Sequence, residues 1–279
     1  MDINIADRSK IDIKSTINSI SKVAKNMYPD VKMKGINSLH IRDILDYIDI
    51  SNYRFNKHLA HLSIVINELV EKRVFAHNCI RDIKKRKQVK KVRETLSIDQ
   101  LNDIFNMLEK HNYSFYRFSK VFFYSGARIS ELMRVQTKDV NLINKEYKVT
   151  ILKGGQYFEM IKPILPDVWH LWNEVLSEAK NNEHYIFSSC LISGPDKISE
   201  RQITRRWKRY LKNKYGYTAD FYALKHLFLD ILDSQFGGQN QNISSELASH
   251  TSSQITNSVY LVNKEKRYLE TLKNLKISI

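Results

Sequence analysis

The chain has 279 residues, 42% of them hydrophobic, and its 45 Lys+Arg against 30 Asp+Glu leave a formal charge of +15. That apolar share argues against a disordered tail, and no run approaches the roughly 18 apolar residues of a spanning helix. Residues 1–20 carry no signal-peptide core, and Cys79 and Cys190 stand apart with no metal-ligand spacing, so the expectation is an intracellular protein without a structural metal or disulfides.

Elements follow in chain order. Residues 15–27 place Ile17, Ile20, Val23 and Met27 at helical spacing, and Tyr28-Pro29 ends that helix. Ser38 is a candidate cap for a second helix carrying Ile41, Ile44, Leu45 and Ile48. A third spans about 52–72, with Phe55, Leu59, Leu62, Ile66 and Leu69 on one face. His58 and His61 lie on its other face, expected to be a solvated or DNA-facing edge and not a metal pair. These helices make a first domain, residues 1–87, with 1–35 as an N-terminal extension.

Residues 81–93 then hold eight Lys/Arg and one acid. So dense a block repels itself unless phosphates or solvent neutralise it, and the stretch 88–96 reads as a basic linker. Ser97-Ile98-Asp99-Gln100 is a capping box opening the next helix. Phe115, Phe118, Val121 and Phe122 line another that stops at Ser125-Gly126. Between 146 and 164 the period changes to that of strands around Gly154-Gly155, a hairpin signal. From Glu200 a helix running to about Lys212 turns Ile203, Trp207 and Leu211 inward and Arg201, Arg205 and Arg206 outward. Scarce glycine and proline, 8 and 4 in all, agree with a mainly α fold: a helical first domain, then a mostly helical domain over 97–279 with a small antiparallel β-sheet and a tail helix from about 264.

Four segments of the second domain carry chemistry. Gly126-Ala127-Arg128-Ile129-Ser130-Glu131 sets an arginine at a helix start, where a guanidinium grips phosphate through paired hydrogen bonds. Lys153 stands at the hairpin tip. Tyr222-Ala223-Leu224-Lys225-His226 and Ser249-His250, followed by Val259-Tyr260, complete the set. In this order and spacing they resemble the tyrosine recombinase (phage integrase-like) family, whose pattern is a Gly-Ala-Arg-x-x-Glu turn, a hairpin lysine, a His-x-x-Arg-His box, a Gly-His step and a nucleophilic tyrosine. The resemblance spans roughly 35–265.

It implies a site-specific DNA recombinase or integrase that cleaves and rejoins DNA through a 3′-phosphotyrosyl intermediate, with no cofactor and no metal. Carried over residue by residue, Arg128 would hold the scissile phosphate, Lys153 would protonate the departing 5′ oxygen, His250 would hydrogen-bond the phosphate and Tyr260 would attack it. Tyr222 and Lys225 would complete the catalytic set. The first domain would be the core-DNA-binding domain, and Lys84, Lys85, Arg86, Lys87, Lys90, Lys91, Arg201, Arg205 and Arg206 would contact the backbone of double-stranded DNA. The family implies a homo-tetramer on paired sites, room for an accessory DNA-bending protein, no membrane partner, and a cytoplasmic, nucleoid-associated location.

The sequence departs from that pattern at Tyr222, where His is usual, at Lys225, where Arg is usual, and at Ser249, where Gly is usual; the step from His250 to Tyr260 is also about one residue longer than common. The lysine matters most, because an ammonium is a point charge and not a planar fork. Two other readings share these residues: a catalytically impaired DNA-binding relative on the same fold, and a type IB topoisomerase-like enzyme.

Overall fold

The computed structural model describes residues 7–88, 93–153, 156–236 and 243–248. It divides into two compact units, residues 1–91 and 92–279.

In the first unit, α1 (Asp7–Met27), α2 (Ser38–Tyr47) and α3 (Asn52–Glu71) close on a core of Ile20, Ile41, Ile44, Leu45, Phe55, Leu59, Leu62 and Ile66. Of the α1 stripe read from the sequence, Ile20 lies in that core and Val23 and Met27 pack against it. The α2 cap is Asn37 and not Ser38: the Asn37 side chain accepts from the His40 amide at 3.1 Å, and His40 accepts from the Asn37 amide. A capping box needs a reciprocating group three residues on, and His40 supplies it for Asn37. His58 and His61, read as a solvated or DNA-facing edge, are half-buried. Thr16 of α1 lies between them, its Oγ1 2.9 Å from His58 Nδ1 and 2.8 Å from His61 Nδ1. Burial pushes both imidazoles below their ordinary pKa, and neighbouring cations add to it, Lys57 at both rings.

The basic segment begins by folding back on this unit. Asn56 donates to the Arg86 carbonyl at 2.8 Å and accepts from the Arg86 amide at 2.9 Å, while Asn52 donates to the Lys87 carbonyl at 2.8 Å. Arg86 pairs with Asp46 and lies 3.9 Å over the Phe55 ring.

The second unit is built on α4 (Ile98–His111), α5 (Tyr113–Ser125), α7 (Pro166–Ser177) and α10 (Ala223–Phe236). The Ser97/Gln100 capping box forms with both bonds near 3 Å. Phe115, Phe118 and Phe122 of α5 are fully buried and meet Phe221 and Phe187, with ring centroids 4.6 Å apart for Phe122–Phe221 and 5.0 Å for Phe118–Phe187. Arg117, on the same helix, is buried in a two-pronged ion pair to Glu178 at 2.7 and 2.8 Å.

The sheet has the order β1-β2-β3, all antiparallel: β1 (Val140–Asn141), β2 (Glu146–Lys153) and β3 (Gln156–Pro163). Lys153 is the register partner of Gln156, which agrees with the hairpin signal read at Gly154-Gly155, two residues outside the described ones. The helix expected over 200–212 is interrupted. α8 (Glu200–Trp207) passes into a π-helical turn, Lys208–Lys212, and then a single turn α9 (Asn213–Tyr215). Ile203, Trp207 and Leu211 are buried throughout, so the extra residue per turn keeps the inward face in register. Among the described residues no helix is long and apolar enough to cross a membrane.

Candidate strand-transfer site

The site begins at the end of α5. Gly126 takes a left-handed conformation, φ +59°, which stops the helix. Its missing side chain also admits a neighbour: a Cβ there would stand 2.9 Å from the Leu247 carbonyl oxygen. Two residues on, Arg128 is the N-cap of α6 (Ile129–Leu132). Glu131, 2% exposed, accepts from the Arg128 amide at 2.8 Å and ion-pairs with its guanidinium. A buried carboxylate thus fixes an arginine whose side chain keeps 36% exposure. The Arg-Glu pair is structural and also aims the group that the motif assigns to phosphate.

Lys225 lies in the first turn of α10 and is fully buried. It donates to the Ala248 carbonyl at 3.5 Å, at the end of α11 (Ile243–Leu247). Burial pulls its pKa down to about 7, helped by repulsion from Lys162 and Arg128 and opposed by attraction to Glu131. Two of the motif residues, Arg128 and Lys225, therefore share one electrostatic centre on Glu131. Tyr222, just before α10, packs its ring edge-on to Phe122 at 6.0 Å. His226, next to Lys225, receives Arg93 at 3.0 Å on its Nε2.

Sequence reasoning missed Lys162. It is 2% exposed on β3, its ammonium donates to the Leu247 carbonyl, and burial lowers its pKa to about 8. The signal lay in the strand register. Lys162 is the register partner of Tyr147, which with Val149 and Ile151 forms the buried face of β2, so strand alternation places Lys162 inward. The Lys162 stem also lines an apolar cavity of about 800 Å³ with Phe123, Tyr124, Phe228, Leu232 and Leu247.

The remaining motif residues are placed less fully. Lys153 closes β2, but its side chain, Gly154 and Gly155 lie outside what is described, as do Lys90, Lys91, Ser249, His250, Tyr260 and the tail with Leu269, Leu272 and Leu275. Lys84, Lys85 and Lys87 are exposed on the first unit, whereas Arg86 is engaged there. Arg201 and Arg205 are exposed on α8, opposite Ile203, and Arg206 is half-buried. Among the described residues no cluster of His, Cys, Asp or Glu could hold a metal.

Comparison with known proteins shows the family and the fold. Residues 94–267 match the phage integrase family, and the chain belongs to that family. A tyrosine recombinase of Pseudothermotoga lettingae is 23% identical over 245 residues, covering 85% of this chain and 82% of its own length. Among solved structures, a lambda integrase dimer bound to a COC′ core site superposes with TM-score 0.76 at 16% identity, covering 100% of this chain and 94% of that one. A lambda integrase tetramer bound to a Holliday junction gives 0.72 at 16% identity, with 90% and 73% covered. The Tn1549 transposon integrase in complex with circular intermediate DNA gives 0.67 at 12% identity, with 96% and 94% covered. The mainly α fold with its small three-stranded sheet is that of these integrases.

Proposed function

We propose that this chain is a site-specific DNA recombinase that cuts and rejoins duplex DNA through a 3′-phosphotyrosyl intermediate. The observation that carries the reading is Arg128 held by the buried Glu131 carboxylate, with Lys225, from an element far along the chain, buried close enough to feel both charges. Two cations held by a fixed counter-charge make a preorganised cradle for a phosphodiester, whose extra negative charge develops on its non-bridging oxygens as the nucleophile arrives. A fold that wanted only stability would gain more from apolar groups there.

In this reading Tyr260 passes its phenolic proton to solvent water as its oxygen attacks phosphorus. The P–O5′ bond breaks, and Lys153 delivers a proton to the leaving 5′ oxygen. Arg128, Lys225 and His250 hold the phosphate oxygens while charge is greatest, and Tyr222 donates a hydrogen bond where the family has histidine. The phosphotyrosyl ester keeps the energy of the broken bond, so a 5′ hydroxyl reverses the step without ATP. Lys84, Lys85, Lys87, Lys90, Lys91, Arg201, Arg205 and Arg206 track the DNA backbone, and four copies act on two paired sites, with an accessory DNA-bending protein admitted.

The test is a nicked suicide substrate built from DNA flanking the chain's own gene. Native protein should become linked to a 3′ end, and Tyr260→Phe should bind the same DNA and form no adduct. An adduct that persists in Tyr260→Phe would overturn the assignment of the nucleophile.

A further inference from the structure

Lys162 is a costly residue where it stands. The face of β2 it joins is apolar, Tyr147, Val149 and Ile151 all being buried, and a leucine or isoleucine at that register would pack there without desolvating an ammonium. The charged groups that act on it are Glu131 as counter-charge, Arg128 at the start of α6 and Lys225 on α10. What the ammonium does touch is the Leu247 carbonyl. The last carbonyls of a helix have no partner within it, and a lysine is a suitable donor for them. Lys225 reaches the very next carbonyl, that of Ala248, at 3.5 Å.

From the other side the same Leu247 oxygen is pressed against Gly126, where a Cβ would meet it at 2.9 Å. The end of α11 is thus held between a lysine of β3 and the glycine two residues before Arg128. In the sequence His250 follows Ala248 by two residues.

We propose that Lys162 is a positioning residue for strand transfer: it clamps the carbonyl end of α11 against the Arg128 turn and so fixes the point from which the chain continues to His250. This rests on the reading of Arg128 and His250 as phosphate-binding groups. It assigns Lys162 no contact with DNA and accounts for a buried cation that the family pattern does not contain. A lysine in place of the second arginine lacks the guanidinium's fork of donors, and Lys162 brings a second ammonium to this junction from another element.

The test uses the full chain with Lys162→Met, which keeps the buried stem and removes the donor. Single-turnover cleavage at saturating suicide substrate should fall on the order of 10²-fold, the scale of a small misplacement of a reacting group, while the Kd for the same DNA stays within about twofold. Amide exchange over 243–248 should quicken without change in α4 or α5. In a double-mutant cycle, Lys162→Met should cost little further in the His250→Ala background, since both changes disable the same group. Gly126→Ala disturbs the clamp from its other side without removing a charge, and should give the same split between cleavage and binding if Lys162→Met does not fold. Cleavage within twofold of native, a fully additive cycle, or unaltered exchange over 243–248 would each overturn the proposal. A native protein that forms no phosphotyrosyl adduct would instead remove the recombinase reading, and the exchange measurement would still decide whether Lys162 holds α11.

Discussion

The Glu131 carboxylate holds both ends of Arg128, accepting from its backbone amide at 2.8 Å and ion-pairing with its guanidinium. Its charge also acts on Lys162 and Lys225, favouring their protonated forms. One buried carboxylate therefore orients one cation and offsets the desolvation of two more. Glu131→Gln keeps the hydrogen-bonding shape and deletes the charge. Cleavage of a suicide substrate should fall on the order of 10²-fold, as for loss of a preorganised transition-state interaction, with DNA affinity altered only a few-fold because most phosphate contacts lie elsewhere. Stability should drop by about 3 kcal/mol, the scale of leaving buried charge unpaired. Chemical denaturation and single-turnover kinetics read the two effects separately, and native cleavage in this variant would show that Glu131 is only a structural anchor.

The lysines give the site an alkaline limit. Lys225 and Lys162 lose their protons near pH 7 and 8, well below the ordinary 10.5, chiefly through burial. A lysine is charged below its pKa, so the Lys225 charge offered to phosphate is present at pH 6.5 and lost as pH rises through about 7, and the positioning Lys162 loses its charge through about 8. The free protein's cleavage under subsaturating DNA should fall across that window. Binding a phosphate favours the charged forms again, so association at pH 8 should take up protons, measurable by calorimetry in buffers of different ionisation enthalpy. Stability runs the other way. A depressed lysine pKa means the unfolded chain binds more protons between about pH 7 and 10.5, so these two groups stabilise the free fold increasingly as pH rises through that range and lose that contribution as it falls. Lys225→Ala should abolish the lower inflection. An unchanged profile would mean that Lys225 does not titrate in the step that limits cleavage.

A different pH response belongs to the first unit. Burial lowers the pKa of His58 and His61 from 6.5, and both rings share Thr16 Oγ1. With folded pKa values depressed, the unfolded chain takes up protons first. The contribution of these groups is therefore complete above about pH 6.5 and declines as pH falls below it. Urea unfolding of the first unit should show a lower midpoint at pH 5.5 than at pH 7.5. Replacing both histidines by glutamine should flatten that dependence, and an equally steep variant would place the acid sensitivity elsewhere.

Local patterns carried most of the helices and the hairpin. The phenylalanine spacing of α5, the Ser97/Gln100 box and the glycine pair that signals the hairpin are each written within a few residues, and the burial of α5, the paired capping bonds and the β2–β3 register agree with them. The Asn37 cap was harder, because Asn37 and Ser38 are both good caps and the choice turned on the His40 ring. The ion pair of Arg117 is not legible locally, since its partner Glu178 lies 61 residues away. The burial of Lys225 depends on α11 and β3 closing over α10, an arrangement that no window of sequence contains. The motifs thus named Arg128 and Lys225, while their electrostatic coupling required the fold.

The basic segment divides into groups with different jobs, and this separates binding from stability. Arg86 is tied to Asp46, Phe55 and Asn56, whereas Lys84, Lys85 and Lys87 are exposed. Arg86→Ala should loosen the first unit by roughly 1 kcal/mol, the usual size of a cation–π interaction combined with a half-exposed ion pair, with little change in the salt dependence of binding. Converting Lys84, Lys85, Lys87, Lys90 and Lys91 together to glutamine should leave the melting temperature nearly unaltered and weaken binding to all duplexes alike. Each lysine that neutralises a phosphate contributes about 0.9 to the slope of log K against log salt, so the slope should flatten by that amount for every phosphate no longer neutralised. Titrations from about 50 to 200 mM salt, on a target site and on unrelated DNA, measure it. A slope that does not change would make these lysines a solvated tether, and the grip on the DNA backbone would then fall to Arg201, Arg205 and Arg206 on and beside the exposed face of α8.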